Sequence, residues 1–471
     1  LDLPEPVAVD PTLEKNSKER GMKTTTAQSP APKAGAETLT RSLEYRDLLA
    51  YGLAYIAPVA PLATLGFVWN ASAGLVALAY LLGALCMYFT AKSYAVMTEE
   101  VPNAGSVYGF ARHCLGGLAG FVAGWLILLD YLLIPALVFL LMSVGMGTLI
   151  PEIPRAAWLV ILISSAVGIN WFGVTVTSRV NVFSVKAQIL MVLTLMALCI
   201  YALYQGKGSG GLTLAPFYSA EGFSATHVFA GTSICVLSFL GFDAISTLAE
   251  EVKGGDRKVV GRAIMHVLLI AGAFFVLLTW VLGNLMIGLD VQDPATAIFE
   301  LTADRIGPWA STALAWLLAL IVGFTNALPM QIGVARVLFA MGRDRQLPHA
   351  FARLHKKHGT PHIALLFASA FSLIVAIVLR NDIDLMASFV NFGALSAFLL
   401  LHLSVLVHFA WRKRSKNYLA HWCVPILGIA VVLAVFSGMA ATALFMGAMW
   451  LVLGLGYWRF LSARHRVELA V

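Results

Sequence analysis

The chain has 471 residues, 59% of them hydrophobic and only 12% charged, with a mean hydropathy of +0.82. Soluble globular chains carry roughly 25% charged residues, so this composition excludes a soluble protein and specifies an integral membrane one. The net charge of +7 would suit nucleic acid, but the basic residues gather in the loops of one face, so the charge is topological and no nucleic-acid partner is expected.

Residues 1–46 are rich in Pro, Thr, Ser, Lys and Glu, contain no apolar run and lack the h-region of a signal peptide. They read as a disordered cytoplasmic tail. An all-α membrane protein follows, with twelve apolar spans near 47–69, 73–98, 117–149, 155–175, 183–205, 226–249, 263–288, 309–341, 361–380, 384–411, 418–438 and 440–461. The third and eighth are long enough to tilt or to project beyond the lipid. Residues 462–471 form a short C-terminal tail, and an even number of spans puts both termini on one side.

Two of these spans are interrupted. In Tyr55-Ile56-Ala57-Pro58-Val59-Ala60-Pro61, two prolines remove backbone donors and crowd the preceding turn. In Ser238-Phe239-Leu240-Gly241-Phe242-Asp243, a glycine lowers the cost of unwinding and a carboxylate sits near mid-membrane. Irregular backbone at that depth is tolerated only inside protein or beside a water-filled cavity. Matched breaks in corresponding spans of two halves are the pattern of a transporter built from inverted repeats.

Among the outer-loop residues of one face, Arg155, Lys207, Arg305 and Arg380 are the only basic ones of 32 in the chain. The other face carries Arg112, Arg179, the 253–262 cluster, Arg343, Arg345, Arg353 and the 412–416 cluster, which makes it cytoplasmic by the positive-inside rule. The five cysteines are scattered, with no CxxC spacing, so neither a disulfide framework nor a metal site is expected, and no cofactor. HExxH, GxSxG and a Walker A loop are missing, which argues against a membrane-embedded enzyme and against drive by ATP.

Several stretches together resemble the amino acid–polyamine–organocation (APC) superfamily of permeases across residues 41–412. They are Ser238–Asp243 followed by Glu250-Glu251, the loop from Glu99 to Tyr108 with Pro102 and Gly105, and the loop from Met341 to Pro348 with Arg343-Asp344. Within the superfamily, Gly52-Leu53-Ala54-Tyr55, Gly124-Trp125, Leu129-Asp130-Tyr131 and Asn391–Leu395 resemble the bacterial putrescine importers. Two positions depart from that subgroup: Ala63 stands where those importers carry an aspartate, and Lys186 resembles the fifth-helix lysine of proton-linked amino-acid permeases. The resemblance implies a LeuT-like fold of two inverted five-helix repeats, 47–205 and 206–411, with two additional helices over 412–461.

It also implies where a substrate would sit. The unwound segment at Tyr55, Ile56, Ala57, Val59 and Ala60 would offer the amides of Val59 and Ala60 to a carboxylate. Carbonyls near Leu237 and Ser238, before the break at Gly241, would face an ammonium group. Tyr55, Tyr131, Phe239 and Phe242 are candidate aromatic walls, the two phenylalanines as gates. Asp130 is a candidate partner for a substrate amine, or else makes a structural hydrogen bond. Asp243 either caps the restarted helix or senses substrate or proton. Lys186, among apolar neighbours, is expected to carry a coupling proton, the alternative being a lysine that snorkels to the interface. The expected function is import of an amino acid or amine across the bacterial cytoplasmic membrane by alternating access, coupled to protons. Exchange for a related product and a non-transporting receptor on the same fold are the alternatives.

Overall fold

The computed structural model describes residues 43–464 apart from 102–105, 151, 172–173, 219–223, 356–358 and 381–382; within helices, the side chains of 148, 174–185, 320–322, 324–325, 384 and 463–464 are also outside the description. The expected disorder of the tail up to 42 therefore lies outside the described residues. Its expected end at 46 is moved. Leu43 already pairs with the chain at Val252, through Leu43 N to Glu251 O at 3.0 Å and Lys253 N to Leu43 O at 2.9 Å. The Asp47 carboxylate then accepts from Glu44 N at 2.9 Å, and helix begins at Tyr45. Next to it, a hydrogen bond from Lys253 holds the exposed Glu44 carboxyl below the usual range.

The helices follow in chain order: α1 (Tyr45–Ile56), α2 (Ala60–Ala71), α3 (Val76–Glu100), α4 (Ser106–Leu115), α5 (Gly117–Leu149), α6 (Arg155–Trp171), α7 (Val174–Tyr204) and α8 (Ala225–Phe239). A 3-10 helix, Phe242–Glu251, precedes α9 (Arg257–Met286), α10 (Ala297–Arg305) and α11 (Pro308–Trp316). A wider turn over Leu317–Val322 leads into α12 (Gly323–Arg343), followed by α13 (His362–Val378), α14 (Ile383–Val405), α15 (Val424–Ser437) and α16 (Ala441–Arg464). Among the described residues there is no strand, and nine helices are long and apolar enough to cross a membrane. Two apolar helices, Arg155–Trp171 and His362–Val378, are shorter.

The bundle has two distinct ends. At the upper end, Asn284 binds the loop after α7 through Ser209 and Thr213, and Pro216 accepts from Leu78 N at 3.2 Å. At the lower end lie the Leu43–Val252 bridge, Arg343 with Glu250, and Lys413 with Glu100 at 2.6 Å. Tyr108, on α4, donates to Asp344 at 2.6 Å there, and burial together with that carboxylate pushes its phenol above the usual range.

Both interrupted spans cross each other half against half. α2 packs on α8 above the breaks, and α1 packs on the 3-10 helix below them. Small residues set that approach, as expected where lipid supplies no hydrophobic drive between helices. A Cβ on Gly52 of α1 would come within 2.4 Å of Ile245 Cδ1.

Candidate functional site

Each interruption has its own cause. Between α1 and α2, Pro58 cannot donate, Ala57 adopts φ +60, and Ala60 N bonds back to Ala57 O at 2.9 Å. Of the two amides expected to be free for a carboxylate, that of Ala60 is thus already used, because the turn closes on itself before α2 begins. After α8, Leu240 is extended and Gly241 takes φ +112, a conformation that glycine tolerates without penalty. Asp243 Oδ1 accepts from Gly241 N at 3.2 Å and fixes the restart.

Above the breaks lies a cavity of about 130 Å³. Ile56, Ala57, Val59 and Ala60 line it from the first break, and Leu237, Ser238 and Leu240 from the second. α5 contributes Ile134, Leu137 and Met142, α12 contributes Asn326 and Met330, and α10 contributes Ile298 and Phe299. A larger hollow of about 500 Å³, lined by Arg155, Asp293 and Arg380, shares Val144 and Ala295 with it. The two hollows are therefore neighbours, the larger one lying towards the upper end.

Polar side chains are few on these walls. Thr64, Tyr80 and Ser238 form a closed ring of hydroxyls, with Thr64–Tyr80 at 2.6 Å, Tyr80–Ser238 at 2.8 Å and Thr64–Ser238 at 3.1 Å. This ring ties α2 to α3 and α8. Asn326 is buried, and its Oδ1 has no hydrogen-bond partner among the described residues.

The structure thus brings six of the expected residues, Ile56, Ala57, Val59, Ala60, Leu237 and Ser238, to one cavity. The other seven expected wall residues do not line it and form a packed layer instead. Tyr131 donates to Asp243 Oδ2 at 2.5 Å, and Tyr94 reaches the same oxygen at 3.5 Å. Tyr55 donates to Met330 O at 3.3 Å, and its ring occupies the space beside Gly241, where a Cβ would meet Tyr55 Cδ1 at 2.3 Å. Phe239 packs on Tyr80 and Phe275, and Phe242 on Tyr94 and Phe398, so both rings are buried beside the break. Asp130 is fully buried, and neither carboxylate oxygen has a hydrogen-bond partner among the described residues.

Lys186 is exposed despite its apolar sequence neighbours, while Gln188, two residues on, is fully buried. Helix phase turns Lys186 outward.

One residue escaped the sequence reading. Arg336 of α12 is 4% exposed, places Nη2 3.0 Å from Glu251 Oε1, and donates through Nη1 to Tyr51 Oη at 3.1 Å. Being ionisable inside an apolar span, it carries the same signal that singles out Asp130. It joins α1, the 3-10 helix and α12 below the breaks, on the side away from the cavity.

This arrangement has counterparts among known proteins. The amino acid permease family model matches residues 48–462. The low-affinity putrescine importer PlaP of Escherichia coli (strain K12) is 30% identical, covering 90% of this chain and 94% of its own. The branched-chain amino acid permease BcaP of Bacillus subtilis (strain 168) is 28% identical, covering 92% and 96%. In fold alone, the crystal structure of MhsT in complex with L-phenylalanine matches with a TM-score of 0.61 at 15% identity, over 85% of this chain and 100% of that one. A sodium-coupled sialic acid symporter matches with a TM-score of 0.53 at 11% identity, over 87% and 92%. The broken spans, the cavity between them and the family match agree, and the chain belongs to the amino acid permease family of the APC superfamily, a multi-pass membrane transporter and not an enzyme.

Proposed function

We propose that the chain imports an amino acid or related amine across the cytoplasmic membrane by alternating access, with the two broken spans forming the substrate site. The observation that carries this reading is the asymmetry about the breaks: a cavity with a second hollow beside it towards the upper end, and a buried Arg336–Glu251 tie below. On this reading there are twelve spans, with α6, α13 and the α11–α12 segment completing the count. Residues 47–205 and 206–411 are inverted repeats, 412–461 add two helices, and the basic lower end with both termini is cytoplasmic. Binding from above would draw the halves together over the substrate, and release of the lower tie would open the other path.

Protons are the proposed coupling ion. Two groups are candidates to carry one: Lys186, exposed on α7, and Asp130, wholly buried with both oxygens unpartnered among the described residues. Burial inside the membrane favours Asp130, because an ionisable group there is costly unless its charge state is used. The test is uptake into proteoliposomes holding the full chain. An inward proton gradient should drive accumulation with indifference to sodium. Asp130→Asn should bind substrate and fail to accumulate it, while Lys186→Ala should accumulate normally; the reverse pattern returns the role to Lys186. Sodium-dependent uptake would contradict proton coupling, and efflux that requires external substrate would mark an exchanger.

A further inference from the structure

We infer that Glu100, His113 and His408 form a binding site for a divalent transition-metal ion such as zinc at the lower end, and that the bound ion slows transport by tying that end together. The second clause rests on the transport reading above; the site itself does not.

The three residues come from separate segments. Glu100 closes α3, His113 lies in the last turn of α4, and His408 stands in the wider helical turn Leu406–Arg412 that continues α14. No ligand spacing along the chain announces them. Folding brings one carboxylate oxygen and one nitrogen from each imidazole within 4.8 Å of one another. His408 Nε2 is 3.1 Å from Glu100 Oε1, and the two imidazole rings lie 5.5 Å apart between centroids. Zinc bonds of about 2.0–2.2 Å set tetrahedral ligand atoms roughly 3.3 Å apart. One pair already has that separation, and the remaining gaps need close by at most about 1.5 Å. His113 is exposed, so its side chain can make that move without disturbing the core.

The donors select the ion. Two imidazoles and one carboxylate suit Zn²⁺, Co²⁺ or Ni²⁺, whereas Mg²⁺ and Ca²⁺ take oxygen ligands, and three protein ligands leave a fourth position for water. His408 Nδ1 has no hydrogen-bond partner among the described residues. A ligating histidine usually gives that other nitrogen to an acceptor that orients its ring, a contact worth 10–100-fold in affinity. Binding is therefore expected in the micromolar range, as for a reversible site.

A competitor already occupies the carboxylate. Lys413 Nζ lies 2.6 Å from the same Glu100 Oε1, with its side chain 46% exposed. An entering ion must displace this ammonium, whose like charge opposes it. The exposed side chain has solvent to swing into.

Position gives the ion its effect. α3 packs chiefly on α9 and on α8, which ends at the second break, whereas α4 packs on α5 and α14. An ion held by all three side chains joins these parts where the lower path would open.

The experiment is isothermal titration of the purified, tag-free full chain with Zn²⁺, together with the visible absorption of Co²⁺. One Zn²⁺ per chain should bind, Mg²⁺ and Ca²⁺ at least a hundredfold more weakly, and Co²⁺ should show the strong visible bands of a four-coordinate site. His113→Ala, an exposed change that leaves the core intact, should weaken Zn²⁺ at least tenfold and abolish those bands. Lys413→Gln should tighten Zn²⁺ severalfold. Unchanged binding in His113→Ala would place any metal on other residues and overturn the site; unchanged affinity in Lys413→Gln would contradict the ion's place on Glu100. In proteoliposomes, saturating Zn²⁺ on both faces should cut uptake of a labelled mixture of the common amino acids and putrescine at least threefold, and spare His113→Ala. Zinc bound at the three residues by a chain that takes up none of these compounds keeps the site and overturns the transport reading. Uptake that Zn²⁺ leaves unchanged keeps that reading and overturns the regulation.

Discussion

Arg336 and Glu251 meet at 3.0 Å inside the bundle, both side chains under 10% exposed, with the Arg336 guanidinium also 5.9 Å over the Tyr51 ring. Three chain segments that are distant in sequence converge on this one guanidinium. A buried pair of this kind adds little net stability over apolar packing, but removing one partner leaves a charge uncompensated, at about 3–5 kcal/mol. The pair is therefore better suited to specifying one closed arrangement of the lower end than to holding the fold together.

Glu251→Gln should accordingly lower the unfolding temperature sharply. Replacing both residues, Glu251→Leu with Arg336→Met, should recover most of the roughly 3–5 kcal/mol lost by either single change. Thermal unfolding of the three variants measures this. A double variant as unstable as the singles would show that the pair is not the source of the loss.

Gly241→Ala should cost about 1–3 kcal/mol, because φ +112 is strained for any residue with a Cβ and that Cβ meets Tyr55 Cδ1 at 2.3 Å. Gly241 does not line the cavity, so the loss should appear in stability while the folded protein keeps its ligand affinity. Adding Tyr55→Leu should relieve the contact and restore only part of the loss. Full stability in Gly241→Ala by chemical denaturation would contradict the described backbone.

Glu300 links the upper end to pH. Burial alone would raise its carboxyl, but the Thr296 hydroxyl at 2.6 Å and the amides of Gln292 at 2.9 Å and Asp293 at 3.3 Å hold it below the usual range. A value lowered on folding gives stabilisation that is complete above the ordinary carboxylate range and is lost as pH falls through the lowered value. Hydrogen exchange over residues 292–300, corrected for intrinsic rates, should therefore accelerate as pH falls below the ordinary carboxylate range. Glu300→Gln should be loosened at every pH and show no such step. A step that persists in that variant would assign the effect elsewhere.

The two breaks were legible because proline and glycine act locally. Pro58 and Pro61 remove donors wherever they stand, and Gly241 invites a positive φ without tertiary help. Facing was harder. α5 is apolar on every side, so no polar stripe tells which face meets the cavity, and Asp130 could be placed in the membrane but not in the packed layer beneath Ile134. The same limit applied to Phe239 and Phe242, whose partners Phe275 and Phe398 are far along the chain. Arg336 carries a readable signal, a lone charge in an apolar span. The start of α1 was not readable, because the Leu43 pairing with Val252 spans most of the first half of the chain.

The central claim is that the cavity between the broken spans is the substrate site and is reached from the upper end. Of the five cysteines only Cys423 is exposed, so Cys423→Ser leaves four buried thiols as a quiet background for Ala60→Cys on the cavity wall. A membrane-impermeant thiosulfonate added outside cells should label that cysteine, and a saturating amino acid or amine substrate should slow the reaction at least tenfold. Labelling that no amino acid or amine slows, or that proceeds only from the cytoplasmic side, would contradict the account.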